Sequence, residues 1–106
     1  WGTGEQMRSF LYVKDAVRGL LEIMEKSNTP DPVNIGGCEM VTMKDLLNNV
    51  IKLLGTENNV TWDITKPNGH ERRESDITKL KEITGWTAGT SLNEGLEETI
   101  IWWRRK

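Results

Sequence analysis

The chain has 106 residues, which is enough for one domain or a part of one. Its 14 basic and 16 acidic side chains give a net charge of -2, and this balance argues against non-specific binding to nucleic acid. The single cysteine excludes an internal disulfide and fits a reducing compartment, while no apolar run is long enough to span a membrane. We therefore expect a cytoplasmic protein whose partners include neither nucleic acid nor membrane.

The first half of the chain predicts two pairs of a strand and a helix. Residues 10–13 have the apolar and aromatic composition of a short strand, and apolar side chains at helical spacing predict a helix from Asp15 to about Lys26. Residues 33–35 predict a second strand after a loop that contains two prolines. Thr42 is a good N-cap for the next helix, which we expect to end at Gly55.

The second half predicts one more strand and two more helices. Residues 60–62 resemble a third strand, and the sequence Lys-Pro-Asn-Gly at 66–69 predicts a turn. Asp76 is expected to cap a short helix that stops at Gly85, and Ser91 opens the last helix with a capping box. The fold class is therefore α/β, a small mixed domain of about four helices and three short strands.

Two features indicate that this domain is incomplete. Three strands this short make a poor sheet, so we expect them to be added to a larger sheet in a partner domain. The chain also opens on Trp1, with no initiator methionine, as a piece cut from a longer protein would.

Trp1 and Arg8 are candidate ligand-binding residues at the start of the chain. Arg8 follows a Gly-x-Gly turn, a position that suits a bidentate grip on phosphate. The alternative is a surface arginine that pairs with Asp15 or Glu5. Trp1 can stack on the flat face of a base or sugar, or it can be a disordered terminus.

Arg72 and Arg73 are the second candidate pair. They follow the Pro-Asn-Gly turn and can close over an anionic ligand. The flanking carboxylates Glu71 and Glu74 favour ordinary surface ion pairs instead, which contribute little to stability. Spacing alone leaves both interpretations open.

Several kinds of chemistry have no recognisable motif in the chain. His70 is the only histidine and has no metal-ligand pattern around it, so we expect no metal site. There is no Gly-x-Gly-x-x-Gly fingerprint and no Tyr-x-x-x-Lys pair, because Tyr12 is followed four residues later by Ala16. We therefore expect no cofactor-binding and no catalytic residues in this chain.

Four segments together resemble a known family. They are the opening Trp-Gly-Thr-Gly with Arg8, residues 33–36, residues 66–76, and residues 85–102. In order and spacing they are similar to the carboxy-terminal third of extended short-chain dehydrogenases/reductases, the NAD(P)-dependent sugar-nucleotide epimerase/dehydratase group. Within that group, the Trp-Gly-Thr-Gly and Lys-Pro-Asn-Gly motifs are most similar to the GDP-fucose synthases. Ser9 departs from the pattern, since the family usually has a carboxylate there.

The resemblance implies a fold, a ligand and a cofactor. Residues 1–106 would be the C-terminal substrate-binding lobe of an extended Rossmann-type enzyme, and the N-terminal dinucleotide-binding domain is absent from this chain. Trp1 and Arg8 would contact a nucleotide-diphosphate-sugar, with a GDP-sugar favoured, and Arg72 or Arg73 would approach its diphosphate or sugar. The parent enzyme would use NADP or NAD.

Two functions stay open at this point. The first is the substrate-binding lobe of a sugar-nucleotide epimerase, dehydratase or reductase, which is not catalytic without its dinucleotide-binding partner domain. The alternative is a free-standing, non-enzymatic module that binds another chain or forms a homo-oligomer through an exposed apolar face. Trp62, Trp102 and Trp103 are the candidates for that face.

Overall fold

The computed structural model describes residues 1–57 and 59–106. In that part of the chain the fold class predicted from the sequence is confirmed, with four helices and a mixed sheet of three short strands. The elements in chain order are β1 (Met7–Ser9), α1 (Val13–Lys26), β2 (Met40–Thr42), α2 (Met43–Leu54), β3 (Arg72–Arg73), α3 (Thr78–Thr84) and α4 (Leu92–Arg104).

The sheet joins the start of the chain to its middle. β1 is the central strand, antiparallel to β2 on one side and parallel to β3 on the other. Arg8 therefore lies opposite Val41 in one neighbour and opposite Arg73 in the other. This register brings two of the candidate arginines to adjacent strands.

The three strand positions predicted from the sequence were wrong. β1 ends at Ser9, and Val13 already belongs to α1, while residues 33–35 and 60–62 form no strand. A strand needs a neighbour that supplies its hydrogen bonds, and an apolar sequence pattern reports composition, not pairing. β3, which is Arg-Arg, carries no such pattern but has β1 beside it.

The helix ends were predicted well where a cap defines them. The Thr42 side chain accepts a hydrogen bond from the backbone N–H of Asp45 at 3.0 Å, and α2 ends at Gly55 in the left-handed conformation. The Ser91 hydroxyl likewise accepts from the N–H of Glu94 at 3.2 Å and begins α4.

Two carboxylates were predicted at the starts of α1 and α3, and each lies within two residues of the helix start in the structure. α1 begins at Val13, and Asp15 in its first turn accepts a hydrogen bond from the backbone N–H of Thr90 at 3.0 Å. α3 begins at Thr78, where Asp76 accepts from both the N–H and the hydroxyl of that residue. Asp15 thus connects α1 to the segment before α4.

The core of the molecule is thin. Helix α1 packs on α3, and α2 packs on α4, but among the described residues Leu80 is the only apolar side chain in the buried class. The radius of gyration is 16.3 Å, compared with about 13 Å for a compact domain of this length. The molecule is flat, with extents of 49 × 34 × 19 Å.

Much of the apolar surface of α1 is exposed. Five side chains at helical spacing form what we call the α1 stripe: Val13, Val17, Leu20, Leu21 and Met24. The opposite side of the helix, at Gly19, packs closely on Ile35 and Trp86. No helix in the described part of the chain is long and apolar enough to cross a membrane.

Candidate functional site

The first four residues lie on the loop formed by residues 62–71. The backbone N–H of Gly2 donates to the carbonyl of Asp63 at 2.8 Å. The N–H of Thr3 donates to the Asn68 side-chain oxygen at 2.7 Å, and the Asn68 amide donates in turn to the Thr3 hydroxyl at 3.1 Å. Asn68 therefore holds the start of the chain against the turn that follows Pro67.

Glycine is also required where Gly4 approaches Trp62 of this loop. Gly4 has a φ of +79°, and a Cβ built there would stand 2.5 Å from the Trp62 ring. This contact leaves Trp62 half-buried, so the structure does not place it on an exposed apolar face as the sequence suggested.

Trp1 offers an open aromatic face beside a cation. The side chain is 73% exposed, and the Lys66 Nζ lies 5.5 Å from the ring centroid. Lys66 belongs to the same turn as Asn68. An indole and an ammonium group on one surface can contact a flat ring and an anionic group of the same ligand.

Arg8 is half-buried and is held by backbone oxygens. Its Nη1 donates to the carbonyl of Met7 at 2.6 Å and to that of His70 at 2.9 Å. It pairs with neither carboxylate expected from the sequence, because Glu5 binds Lys44 at 2.7 Å and Asp15 accepts from a backbone N–H. Within residues 1–57 and 59–106, Nε and Nη2 of Arg8 make no hydrogen bond.

The structure separates the two arginines that follow the turn. Arg73 is the register partner of Arg8, so their side chains leave the same face of the sheet from strands about 4.8 Å apart. Arg72 is the register partner of Met7 and binds both carboxylate oxygens of Glu74 at 3.2 Å. Arg72 thus makes the surface ion pair foreseen in the sequence, while Arg73 has no side-chain hydrogen bond among the described residues.

Together these residues lie on one open surface of the molecule and not around an enclosed pocket. The register of β1 and β3 sends the side chains of Arg8 and Arg73 from the same face of the sheet, so both are candidates to contact one anionic ligand. A cavity of about 570 Å³ lies elsewhere, between residues 10–14 and α4, and none of the candidate arginines lines it. No cluster of metal-ligating side chains occurs in the part of the chain that the structure describes.

Sequence analysis missed two members of this surface, Lys66 and Asn68. Both belong to a motif that predicts only a turn. Their contacts with Trp1 and Thr3 each join residues 65 positions apart, and no local pattern signals such a pairing.

Comparison with protein families gives an extended match. The family model described as GDP-mannose 4,6 dehydratase matches residues 1–99. GDP-L-fucose synthase 1 of Arabidopsis thaliana is 37% identical over 103 residues, which are 97% of this chain and 32% of that protein. The chain spans about a third of the length of the curated relatives it matches.

Solved structures that match this chain are also sugar-nucleotide epimerases and dehydratases. UDP-glucose 4-epimerase of Thermotoga maritima, solved with UDP-glucose, is 31% identical with a TM-score of 0.87, over 99% of this chain and 34% of its own. dTDP-glucose 4,6-dehydratase of Bacillus anthracis, solved with NAD, is 26% identical with a TM-score of 0.84. This match covers 100% of this chain and 34% of the dehydratase. These matches confirm the fold class and the resemblance drawn from the sequence.

Proposed function

Since the chain belongs to the GDP-mannose 4,6 dehydratase family of NAD(P)-dependent sugar-nucleotide epimerases and dehydratases, we propose that it is the lobe that binds the nucleotide-diphosphate-sugar. Its own residues would bind and orient the ligand. The redox step would need a dinucleotide-binding domain, and the chain spans only 32% of GDP-L-fucose synthase 1, which leaves length for one.

The observation that carries this proposal is that Arg8 and Arg73 are register partners on adjacent strands. A diphosphate at neutral pH presents two adjacent anionic groups, and charge-assisted hydrogen bonds to guanidinium are among the strongest in proteins. Arg8 keeps Nε and Nη2 without protein partners in the described residues, while Nη1 fixes the direction of the group. This arrangement suits a residue that is oriented before its ligand arrives.

Trp1 would complete the site at the other end of the same loop. Its exposed ring suits stacking on the base or sugar, and Lys66 beside it adds positive charge for a phosphate. A GDP-sugar is the favoured ligand, because the fucose-synthase motifs of the sequence agree with the 37% identity to GDP-L-fucose synthase 1.

NAD or NADP would bind the partner domain. A dinucleotide site of the usual kind needs a glycine-rich turn between a strand and a helix. In the described residues, β2 passes directly into α2 at Thr42, and Phe10-Leu11-Tyr12 separates β1 from α1. These junctions do not fit the cofactor, so we derive no step through it.

Calorimetric titration with GDP, UDP and dTDP tests the proposal, with the chain alone and with a dinucleotide-binding domain added. We expect GDP to bind. Arg8→Met and Arg73→Met should each weaken binding by about 10- to 100-fold, as loss of a charged hydrogen bond predicts. Arg105→Met removes an exposed arginine of the C-terminal segment and should leave the affinity unchanged.

Two results would contradict the proposal. One is the absence of binding in both settings. The other is an Arg8→Met variant that binds as tightly as the unmodified chain.

The free-standing module remains a second candidate because of one observation. Trp102 and Trp103 on α4 are 54% and 68% exposed, and aromatic side chains at the surface favour association. Concentration-dependent dimerisation that Trp103→Ser abolishes would support this alternative.

A further inference from the structure

The Asn68 side chain uses both of its polar atoms on the segment that carries Trp1. Its oxygen accepts a hydrogen bond from the Thr3 N–H at 2.7 Å, and its amide donates one to the Thr3 hydroxyl at 3.1 Å. The same side chain fills the space that a Cβ at Gly2 would need. Asn68 therefore contacts the two residues that follow Trp1 in the chain.

The backbone of the opening segment does not hold Trp1 in place by itself. Gly2 and Gly4 have φ values of +75° and +79°, and glycine populates positive and negative φ about equally well. The Trp1 side chain is 73% exposed, so packing restrains it only weakly. The direction of Trp1 therefore depends on hydrogen bonds to the 62–71 loop, and two of them come from the Asn68 side chain.

The same loop also holds Arg8. The His70 carbonyl accepts from the Nη1 of Arg8 at 2.9 Å, and a Cβ at Gly69 would stand 3.9 Å from its Nη2. Asn68 and His70 are two positions apart in the chain. One turn therefore connects to the Trp1 segment through one residue and to the guanidinium through another, and it fixes how the two lie relative to each other.

This connection matters for a ligand that has a flat ring at one end and two phosphates at the other. A nucleoside diphosphate has this form, with the ribose between its base and its phosphates. A protein whose binding-competent conformation is only partly populated loses affinity in proportion to that fraction. If Trp1 were free to turn away, stacking on the base would weaken, whereas the contact of the phosphates with Arg8 would not change.

We propose that Asn68 is a positioning residue for the nucleobase, which acts through Trp1 and sets the preference for a nucleoside diphosphate over a bare diphosphate. This role rests on the proposed function, because it takes Arg8 as the contact of the phosphates. Lys66 approaches the Trp1 ring from the same turn, with its Nζ 5.5 Å from the ring centroid. The base therefore stacks on the face of the indole that Lys66 leaves open.

Calorimetric titration with GDP and with inorganic pyrophosphate tests this role in Asn68→Ala, which removes both hydrogen bonds to Thr3. We expect the affinity for GDP to fall about 3- to 10-fold, as the loss of two hydrogen bonds predicts, and the affinity for pyrophosphate to stay unchanged. Asn93→Ala makes the same change at an exposed position of α4 and should affect neither ligand.

Asn68→Asp is the conservative variant that should restore the function. A carboxylate can accept from the Thr3 N–H and also from the Thr3 hydroxyl, because a hydroxyl group can donate. The added negative charge weakens both anionic ligands alike. The ratio of the affinities for GDP and pyrophosphate should therefore equal the ratio for the unmodified chain.

A double-mutant cycle with Trp1→Ala shows whether Asn68 acts through the ring. Trp1→Ala should weaken GDP binding at least as much as Asn68→Ala does, because it removes the stacking itself. Asn68→Ala added to Trp1→Ala should then weaken GDP binding no further.

Amide hydrogen exchange at Thr3 provides a measurement that needs no ligand. Exchange should become about tenfold faster in Asn68→Ala, because the Thr3 N–H loses its acceptor, and should stay slow in Asn68→Asp. Circular dichroism of each variant separates a local change from loss of the fold.

Three results would overturn the positioning role. They are a pyrophosphate affinity that falls as much as the GDP affinity, a further loss of GDP binding when Asn68→Ala is added to Trp1→Ala, and unchanged exchange at Thr3. An unmodified chain that does not bind GDP would contradict the proposed function instead. Exchange at Thr3 would still show whether Asn68 holds the opening segment.

Discussion

Arg8 is positioned by backbone carbonyls and not by a carboxylate. The oxygens of Met7 and His70 accept both hydrogen bonds of its Nη1, so the guanidinium has a fixed direction. A carboxylate in the same place would neutralise the charge that an anionic ligand needs. The carboxylates nearest in sequence are engaged elsewhere, Glu5 with Lys44 and Asp15 with a backbone N–H.

Close backbone approaches near Arg8 depend on single glycines. A Cβ added at Gly37 would overlap the backbone carbonyl of Phe10, which cannot move aside as a flexible side chain would. Gly89 has open space around it. We expect Gly37→Ala to lower the free energy of unfolding by about 1–3 kcal/mol and Gly89→Ala to change it by much less. Urea denaturation followed by tryptophan fluorescence measures both, and equal midpoints would contradict the close approach.

At the scale of elements, the contact between α1 and α3 depends on a buried carboxylate. Glu22 is 4% exposed and accepts hydrogen bonds from Lys26 at 2.6 Å and from Arg18. Lys26 also donates to the Thr84 carbonyl at 3.1 Å. Lys26 therefore joins the two helices, since it binds Glu22 within α1 and the Thr84 carbonyl of α3.

This network predicts a pH dependence of stability. Hydrogen bonds from Lys26 and then from Arg18 hold the pKa of Glu22 below its ordinary value of 4.5. A lowered pKa in the folded state means that the stabilisation is complete above the unfolded pKa and is lost as the pH falls through the folded one. Between about pH 5 and pH 3, the unmodified chain should therefore lose more stability than Glu22→Gln.

Urea unfolding across this pH range measures the difference between the two proteins. Glu25→Gln is the control, because Glu25 is an exposed carboxylate of the same helix without an ion pair in the described residues. Parallel pH profiles for the unmodified chain and Glu22→Gln would show that the network does not depend on the charge of Glu22.

At the scale of the whole molecule, a thin core and a wide surface occur together. With Leu80 as the only apolar side chain in the buried class of the described residues, the chain buries little apolar area for its length. The flat shape and the exposed α1 stripe have the same origin, because the apolar face of α1 packs on no second layer of secondary structure in the described residues. The free energy of unfolding should therefore rise when a partner covers the α1 stripe.

The corresponding prediction is a stability that rises with the concentration of the partner. A partner that binds only the folded chain adds about 2.7 kcal/mol at a free concentration of 100 times Kd. We expect the urea midpoint of the chain to rise accordingly when the part of Arabidopsis GDP-L-fucose synthase 1 that this chain does not match is added as the partner. Leu20→Glu should abolish this rise. A urea midpoint that stays the same when the partner is added would contradict the predicted dependence of stability on the partner.

The sequence by itself determined the family, the fold class and most helix ends. The caps at Thr42 and Ser91 and the stop at Gly55 act through residues at most a few positions away, so their chemistry can be recognised locally. The resemblance drawn from four short segments is likewise confirmed by the family match over residues 1–99.

Only the tertiary structure decided which segments pair and which arginine stands beside Arg8. β1 pairs with β2 and β3, and Asn68 holds Thr3 across 65 positions of the chain. Such contacts depend on how the elements pack. The apolar patterns at residues 33–35 and 60–62 do not indicate whether a neighbouring strand is present to pair with them. A strand is a property of two segments, whereas a helix and its caps are a property of one.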